Sequence, residues 1–286
     1  MRKIHLSSFA AALLLSCVAF AQSADPDQVW REAVEWMKAQ PGPQFPSMES
    51  YRAELMKKGL TEAQANERIA LIGKLTQDDP KYRQEASTLS FNRLYSSPSQ
   101  TRFTTEPNAF LASSIKELKP GKALDIAMGQ GRNAVYLATK GWDVTGYDLA
   151  EEGMKVAREN AGKAGVKITT VQAGFADFDY GKERWDLIYF VYTDAPMVDA
   201  KFVERVVAAL KPGGLVLVDR PYRSIANPEP GWRETDQDKP NALPKAWSAL
   251  QLVFYEDAAG YADWQQTSAG RLEEKRRIVR MLARKM

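Results

Sequence analysis

A short segment near the middle of the chain combines a carboxylate with a glycine-rich turn. Residues 123–134 read ALDIAMGQGRNA, and Asp125 ends their first apolar run. Gly129 and Gly131 follow, directly before a predicted helix. Glycines let a ligand approach the backbone closely, and the first turn of a helix offers N–H groups that have no partner inside the helix. The segment therefore predicts a binding site for a nucleotide-like ligand with a charged tail.

Two kinds of cofactor fit this segment. The spacing of Gly129, Gly131 and Ala134 matches G-x-G-x-x-G/A, which is typical of nicotinamide-dinucleotide sites in oxidoreductases. Asp125 favours a different ligand, because its carboxylate repels a diphosphate and attracts the amino group of a methionine-type tail. Asp148 ends the next predicted strand and is placed to bind both ribose hydroxyls of either cofactor. On these residues alone both interpretations stay open.

The elements around the segment alternate between strand and helix. Apolar runs predict strands at 122–127, 142–147, 167–172, 186–192 and 215–219, with helices between them at 133–140, 151–164 and 198–210. This alternation predicts a parallel sheet with helices on both faces, and such sheets bind ligands beyond the carboxyl ends of their strands. The proline-rich residues 221–244 predict an irregular loop, and 252–255 and 277–283 predict two further strands.

A helical pattern precedes the alternating elements. Residues 22–97 carry apolar side chains at helical spacing, and Thr61 with Gln64 predicts a capping box at one helix start. We therefore expect a helical N-terminal extension or lid over 22–97, followed by the ligand-binding domain over 98–286.

The first residues have the composition of a secretory signal peptide. Arg2 and Lys3 precede an apolar run at 9–20, which is shorter than the roughly 20 residues that a bilayer requires. The run leads into Ala-Phe-Ala, a typical cleavage site, so we predict a signal peptide over 1–21. The alternative is a lipoprotein modified at Cys17. We expect an exported, periplasmic protein without stable membrane insertion, or a cytoplasmic one if the segment is not used.

Removal of this segment restricts the chemistry. His5 and Cys17 are the only histidine and cysteine, so the predicted mature chain has neither. This excludes a Ser-His-Asp or Cys-His nucleophile, a disulfide and the usual structural zinc, and we expect no metal. The formal net charge of +3 and the lack of a Lys/Arg-rich run argue against nucleic acid as a partner.

The residues from Ala123 to Asn160 resemble motifs I and II of class I S-adenosylmethionine-dependent methyltransferases. The LKPGG turn at 210–214 and the strand at 185–188 resemble later motifs of that family. Residues 129–138, GQGRNAVYLA, are most similar to its tellurite-resistance-type and other small-molecule members. The resemblance implies S-adenosylmethionine as cofactor and a small molecule as methyl acceptor. It also implies a Rossmann-like α/β fold, with a mostly parallel seven-stranded sheet and a C-terminal antiparallel hairpin.

Carried onto this sequence, the resemblance implies nine cofactor-binding residues: Asp125, Ala127, Gly129, Gly131, Asp148, Leu149, Phe175, Asp177 and Phe190. The first three are expected at the amino-acid tail, Asp148 at the ribose, the next three at the adenine and Phe190 near the transferring methyl. Two positions depart from the family pattern. Ala127 stands where the first glycine is usual, and Gly174 stands where many relatives have an adenine-binding acid, whose place Asp177 would take.

Tyr192, Asp194 and Asp219 are the candidate bases nearest the ends of the predicted strands, and Tyr192 and Asp194 are the expected catalytic residues. Methyl transfer is an in-line displacement, to which the protein contributes chiefly by alignment. With few bases available, we expect a soft or already ionised nucleophile: a thiolate, a selenium or tellurium anion, or a carboxylate. The aromatic residues that could line its pocket are Tyr95, Phe103, Tyr192, Tyr222 and Trp232. A nicotinamide-dependent oxidoreductase and an exported, non-catalytic binding protein are the alternatives.

Overall fold

The computed structural model describes residues 25–42, 46–96, 103–224, 236–261, 266–267, 270–271 and 275–286. The predicted signal peptide, with Cys17, and Trp232 lie outside the described residues. The chain divides into two compact units. The first comprises the residues up to Gln40 together with Pro46–Arg83, and the second comprises Gln84–Met286 together with Pro41–Phe45.

The first unit is helical, as predicted for the N-terminal extension. It contains α1 (Pro26–Ala39), α2 (Met48–Lys57), α3 (Glu62–Asp78) and the start of α4 (Pro80–Tyr95). The capping box predicted at the start of α3 is confirmed. The Thr61 side chain accepts a hydrogen bond from the Gln64 backbone, and the Gln64 side chain accepts one from the Thr61 backbone. Apolar side chains, including the buried Trp30 and Tyr51, form the core of this unit.

The second unit contains α5 (Ala109–Ser114), β1 (Lys122–Ile126), α6 (Arg132–Thr139), β2 (Asp143–Asp148), α7 (Glu151–Lys163), β3 (Thr169–Gln172), β4 (Trp185–Val191), α8 (Ala200–Ala209), β5 (Leu210–Ser224), α9 (Ala242–Ala246), β6 (Gln251–Tyr261), β7 (Gln266–Thr267), β8 (Gly270–Arg271) and β9 (Lys275–Arg284). Seven strands form one sheet in the order β3-β2-β1-β4-β5-β9-β6. The first five strands are parallel, and β9 runs antiparallel to both β5 and β6. This arrangement confirms the predicted fold.

Alternation along the central strands places apolar side chains on both faces of the sheet. In β4, Ile188 and Phe190 belong to a core layer that includes α8, whereas Leu187 and Tyr189 belong to a layer that includes α6 and α7. Strands buried on both faces are typical of parallel sheets covered by helices. The same packing fixes the register of β1, β2 and β4, so their carboxyl ends meet at one edge.

The prediction of an irregular loop over 221–244 is wrong at both ends, and residues 225–235 lie outside the described residues. At its start, β5 continues to Ser224 and pairs with β9. Ala242–Ala246 form α9, because Leu243 and Trp247 are buried in the core against the sheet. The hairpin strands are also longer than predicted. Strand β6 pairs with β9 from Gln251 to Tyr261, and backbone pairing extends it beyond its most apolar residues.

Candidate active site

Three positive backbone angles shape the turn between β1 and α6. Ala127, Gly129 and Gly131 have φ angles of 58°, 50° and 71°. This left-handed conformation suits glycine and costs an alanine roughly 1–2 kcal/mol, so the surrounding structure holds Ala127 in it. Gly131 also needs its small size, since a Cβ there would lie 2.6 Å from the Cβ of Ala157. The predicted glycine-rich turn is therefore a tight one that brings backbone close to any ligand above it.

Asp148 ends β2 and holds this turn from the neighbouring strand. Its Oδ2 accepts a hydrogen bond from the Gly129 N–H at 2.8 Å, and its Oδ1 accepts one from the Ala150 N–H at 2.8 Å. Burial raises the pKa of Asp148, and these backbone donors oppose that rise. Each carboxylate oxygen keeps a lone pair that can accept a hydrogen bond from a ribose hydroxyl.

Asp125 lies in β1 and is buried with an unsatisfied oxygen. Its Oδ2 has no hydrogen-bond partner in the described part of the chain, and the nearby Tyr189 hydroxyl lies outside hydrogen-bonding geometry. Burial raises the pKa of Asp125 to about 7, and the charge of Asp148 adds to that rise, while Tyr189, Arg132 and the Ala134 N–H oppose it. A buried carboxylate with an unsatisfied oxygen is stabilised in its charged form by a cationic partner, such as the ammonium group of an amino-acid tail.

The carboxyl ends of β1, β2 and β4 enclose two cavities of about 160 Å³ each. The Asp125 cavity is lined by Asp125 and the turn residues 127–133, and the Asp148 cavity is lined by Asp148, Leu149 and Phe175. Four residues line both cavities: Phe91, Tyr95, Ala127 and Tyr192. The predicted tail and ribose acids thus lie in neighbouring halves of one cleft.

Tyr95, near the end of α4, forms the partition between the two cavities. A Cβ built on Gly129 would lie 2.6 Å from the Tyr95 hydroxyl oxygen, and one built on Gly153 would lie 2.8 Å from its ring. The ring stacks on Phe91 at 6.2 Å. One turn earlier, Asn92 Oδ1 accepts a hydrogen bond from the Glu152 N–H at 3.0 Å in the first turn of α7. The end of α4 therefore covers the glycine-rich turn.

Gln84 of α4 packs beside Gly174, which lines the Asp148 cavity, but neither Gln84 nor the expected site residue Asp177 lines that cavity itself. Leu149 and Phe175 line this cavity, as expected for adenine-binding residues. A Cβ on Gly174 would lie 2.8 Å from Gln84 Oε1 and 2.9 Å from Asp177 Oδ2, and Gln84 Nε2 donates to Asp177 Oδ2 at 3.1 Å. The acid that the family resemblance implies at position 174 would therefore clash with the Gln84–Asp177 pair.

The loop that carries Phe175 is held by Arg205 of α8. The guanidinium donates to the carbonyl oxygens of Phe175 at 3.4 Å, Ala176 at 3.1 Å and Phe178 at 2.9 Å, and it lies 4.9 Å from the ring centre of Tyr180. Because three backbone carbonyls bind the Arg205 guanidinium, the loop that forms this wall of the Asp148 cavity has a fixed position. Nothing in the local sequence indicates this contact, since an arginine on a helix surface is ordinary.

The residues after β4 differ in how they meet the cavities. Tyr192 has a φ of 57°, lines both cavities, and donates from its backbone N–H to the Asp219 carbonyl at 3.0 Å. Asp194 lines the Asp148 cavity with a side chain that is 98% exposed. Phe190 is fully buried against Phe202 and Trp247, so its side chain belongs to the core and lines neither of these two cavities.

Two buried polar residues behind Tyr192 were not identified as a pair from the sequence. Asn108 caps α5, where its Oδ1 accepts a hydrogen bond from the Leu111 N–H at 2.9 Å. Its Nδ2 donates to Asp219 Oδ2 at 2.8 Å and to the Tyr192 hydroxyl oxygen at 3.3 Å. The capping position is recognisable as Asn before a helix, but its contact with a strand 111 residues further on is not.

The remaining predicted pocket residues are divided between site and core. Phe103 lines the Asp125 cavity, whereas Tyr222 packs on the core and donates to the Gln237 carbonyl at 2.7 Å.

Within the described ranges, no helix has the length and apolar character needed to cross a membrane. The same residues contain no cluster of three His, Cys, Asp or Glu side chains that could hold a metal ion.

Comparison with known proteins agrees with this geometry. Residues 123–214, from β1 into β5, match the methyltransferase domain family. Over 67 residues the chain is 36% identical to a probable S-adenosyl-L-methionine-dependent methyltransferase, TehB, of Haemophilus influenzae, covering 23% of each protein. Over 118 residues it is 34% identical to a ubiquinone biosynthesis O-methyltransferase of Vibrio vulnificus, covering 41% of this chain and 50% of that protein. The chain thus spans half or less of the length of these curated relatives.

A solved structure shares the fold. The crystal structure of TehB from Haemophilus influenzae superimposes with a TM-score of 0.52 and 22% sequence identity, covering 70% of this chain and 67% of that one. Together with the strand order, the family match identifies a methyltransferase domain over residues 123–214, and the solved structure shares its fold. Among methyltransferases the chain is similar to TehB and to ubiquinone O-methyltransferases. The nicotinamide and non-catalytic alternatives gain no support from these matches.

Proposed function

We propose that this protein transfers the methyl group of S-adenosylmethionine to a small-molecule nucleophile by in-line displacement. The observation that carries the proposal is the placement of two buried carboxylates, Asp125 and Asp148, on either side of the positive-φ turn at Gly129. Asp125 would hold the ammonium group of the methionine tail, and Asp148 would hold the ribose hydroxyls. When bound, the cofactor supplies a methyl carbon that its sulfonium already activates.

The walls of the cleft support a small acceptor. Phe91, Tyr95, Phe103 and Tyr192 form an aromatic lining, which gives an apolar small molecule a surface to pack on and keeps water from the reacting atoms. Such a lining favours an apolar or aromatic acceptor.

The chemistry proposed for the nucleophile follows from the bases available. Asp194 has a side chain that is 98% exposed, whereas a carboxylate that acts as a general base near neutral pH is usually buried. The predicted mature chain also has no histidine or thiol. An acceptor that is already ionised needs no base, because its own electron pair forms the new bond. Among the relatives, the ubiquinone biosynthesis enzymes are named O-methyltransferases, which is consistent with oxygen as the accepting atom.

Binding of S-adenosylhomocysteine tests the proposal directly. We expect calorimetry to detect binding to the wild-type protein, no binding of NAD⁺ or NADH, and a loss of about tenfold or more in affinity for Asp148→Ala, which removes two charge-assisted ribose hydrogen bonds. Asp179→Ala, on an exposed loop acid, is the matched control. Transfer of labelled methyl from S-adenosylmethionine to thiols, selenite, tellurite and aromatic acids then identifies the acceptor class. Failure to bind S-adenosylhomocysteine would reject the proposal.

We also propose export through the N-terminal segment, which rests on sequence alone. S-adenosylmethionine is made in the cytoplasm, so an exported methyltransferase must be loaded before export or supplied from outside. Cell fractionation with N-terminal sequencing of the purified protein tests this. A mature protein that begins after Ala21 supports cleavage, one that begins at Cys17 supports the lipoprotein alternative, and an intact N-terminus in the cytoplasm rejects export.

A further inference from the structure

Strand β6 lies at one edge of the seven-stranded sheet. It pairs with β9 on its inner side over Gln251–Tyr261, and among the described residues no strand lies on its outer side. The outer side of an edge strand presents N–H and C=O groups that a further strand can bind. Natural proteins usually guard such an edge with a short strand, lysine, proline or a bulge, so the sequence of the strand indicates whether it stays free.

The two edges of this sheet are guarded differently. Strand β3 at the other edge is protected by its length, because it has only four residues. Strand β6 has eleven residues, QLVFYEDAAGY, and none of them is lysine, arginine or proline. Its register shift against β9 lies between Leu252 and Phe254, so the pairing is continuous from Phe254 to Tyr261. Over this stretch the outer edge of β6 is long and regular, as a strand that binds another strand requires.

Apolar side chains are exposed at both ends of β6. Leu252, Val253 and Phe254 are 48%, 48% and 42% exposed at its start, and Tyr261 is 47% exposed at its end. Contiguous exposed apolar residues that are rimmed by polar ones typically mark an interaction surface.

The two acids of β6 are neutralised by its own neighbour strand. Glu256 binds the Arg280 guanidinium at 2.8 Å, and Asp257 binds the Arg277 guanidinium at 2.7 Å, both across the inner side of β6. Their charges are therefore compensated within the chain and do not repel a strand that approaches the outer side.

The residues of β6 complement one another when the strand pairs with itself. A two-fold axis sets two copies of an edge strand antiparallel, and one residue then faces its own copy. With Ala258 on the axis, three further pairs form on each side: Tyr255 with Tyr261, Glu256 with Gly260, and Asp257 with Ala259. No two charges face each other in this register, and each acid faces a small residue. The two tyrosine pairs are of a kind that stabilises antiparallel strands.

Other positions of the axis fit less well. An axis at Glu256 or Asp257 sets two identical carboxylates directly opposite each other, which destabilises strand pairing. An axis at Ala259 separates Tyr255 from Tyr261 and sets Tyr261 opposite Asp257. The sequence of β6 therefore favours one register, in which the strand satisfies its own requirements without a different partner.

We propose that the protein forms a two-fold symmetric dimer in which β6 pairs antiparallel with β6 of a second copy, with Ala258 on the axis. The pairing joins the two seven-stranded sheets into one continuous sheet. No residue of β6 lines the Asp125 cavity or the Asp148 cavity, so each copy keeps its own cleft. The inference goes beyond the proposed methyl transfer and does not depend on it, because it rests on the sheet edge alone.

Opposite charges at position 258 test the proposal. Because this residue faces itself on the axis, Ala258→Lys sets two ammonium groups opposite each other, and Ala258→Asp sets two carboxylates opposite each other. An equimolar mixture of the two variants instead sets opposite charges face to face. Val171→Lys, at a 36% exposed residue of the other edge strand, is the matched control. Analytical ultracentrifugation measures the dimer dissociation constant, and circular dichroism compares the fold of each variant with the wild type.

We expect the wild type and Val171→Lys to sediment with twice the mass of one chain. Each variant at position 258 should raise the dimer dissociation constant by about tenfold or more, through repulsion of like charges at the axis. The mixture should form a dimer at least as tight as the wild type, which also shows that both variants are folded. A monomeric wild type, or a dimer that neither charge weakens, would overturn the inference. A mixture as weakly associated as the single variants would overturn it as well, since position 258 would then not face itself.

Discussion

The Tyr95 hydroxyl lies directly over Gly129, so close that a Cβ at Gly129 would come within 2.6 Å of its oxygen. Burial raises the pKa of this hydroxyl, and the charges of Asp148 and Asp125 raise it further. Tyr95 therefore stands between the two carboxylates that are proposed to hold opposite ends of the cofactor. Each cavity beside it has about 160 Å³, whereas small-molecule sites usually have roughly 300–1,000 Å³. A ligand that spans both acids must displace this side chain.

We expect Tyr95→Ala to accelerate cofactor binding. In the wild type, displacement of Tyr95 precedes or accompanies binding, so the observed rate of S-adenosylhomocysteine association should reach a plateau at high ligand concentration. In Tyr95→Ala, the observed association rate should rise linearly with ligand concentration. The affinity for S-adenosylhomocysteine should also increase, because no conformation with the ring in the cleft competes with binding. Stopped-flow tryptophan fluorescence measures both quantities. Tyr95→Phe keeps the partition and is the control. A weaker affinity with an unchanged association rate in Tyr95→Ala would show that Tyr95 is a wall of the site and not an obstacle.

The contact between Tyr95 and Gly153 predicts an energetic coupling. Alanine in place of a helical glycine normally stabilises a helix by about 1 kcal/mol. At Gly153, however, the new Cβ would lie 2.8 Å from the Tyr95 ring and 3.2 Å from the Gly129 carbonyl oxygen. We expect Gly153→Ala to destabilise the wild type and to stabilise the Tyr95→Ala variant, with a coupling of roughly 1–2 kcal/mol in urea denaturation. Additive effects of the two changes would contradict the packing described here.

The raised pKa of Asp125 predicts that the affinity for the cofactor depends on pH. Burial raises its pKa to about 7, so in the free protein the carboxyl is protonated below that pH. An ammonium group favours the carboxylate, and the proton must leave when the cofactor tail binds. Affinity for S-adenosylhomocysteine should therefore be constant above about pH 7 and fall by about tenfold for each pH unit below it. Calorimetry across this range measures the slope.

The control for this prediction is Asp125→Asn, which cannot ionise. It should bind S-adenosylhomocysteine more weakly than the wild type above about pH 7, and the slope below that pH should vanish. Burial also raises the pKa of Asp148. If Asp125→Asn keeps the wild-type slope, the titrating group is Asp148 or another residue, and the role assigned to Asp125 is wrong.

Arg205 lies outside the cavities and is expected to affect adenosine binding through the loop that it holds. Arg205→Ala removes three hydrogen bonds to the loop carbonyls around Phe175, so that wall of the Asp148 cavity loses its fixed position. We expect the affinities for S-adenosylhomocysteine and for free adenosine to fall in parallel, each by about tenfold. Arg31→Ala, an exposed arginine of α1, is the matched control. A change in S-adenosylhomocysteine affinity with adenosine affinity unaltered would place the effect at the methionine tail and contradict this assignment.

Much of the site follows from local sequence. Asp125, Gly129 and Gly131 lie within seven consecutive residues, and the strand, turn and helix that carry them follow from apolar runs and glycine conformation. Asp148 follows from the same logic one strand later, because parallel strands end at one edge of a sheet. Phe190 shows where this reasoning is insufficient. The family resemblance implied a place near the methyl group, but Phe190 belongs to the core layer that includes α8 and lines neither cavity.

The sequence by itself determined the fold class and the two acids that are proposed to hold the cofactor, because those depend on residues close together in the chain. The tertiary structure alone decided what covers and orients the site. Tyr95 reaches the cleft from α4, and Asn108 links Asp219 to Tyr192 across 111 residues of sequence. Such contacts leave no periodic or spacing signal, since they form only when the sheet brings distant strand ends together.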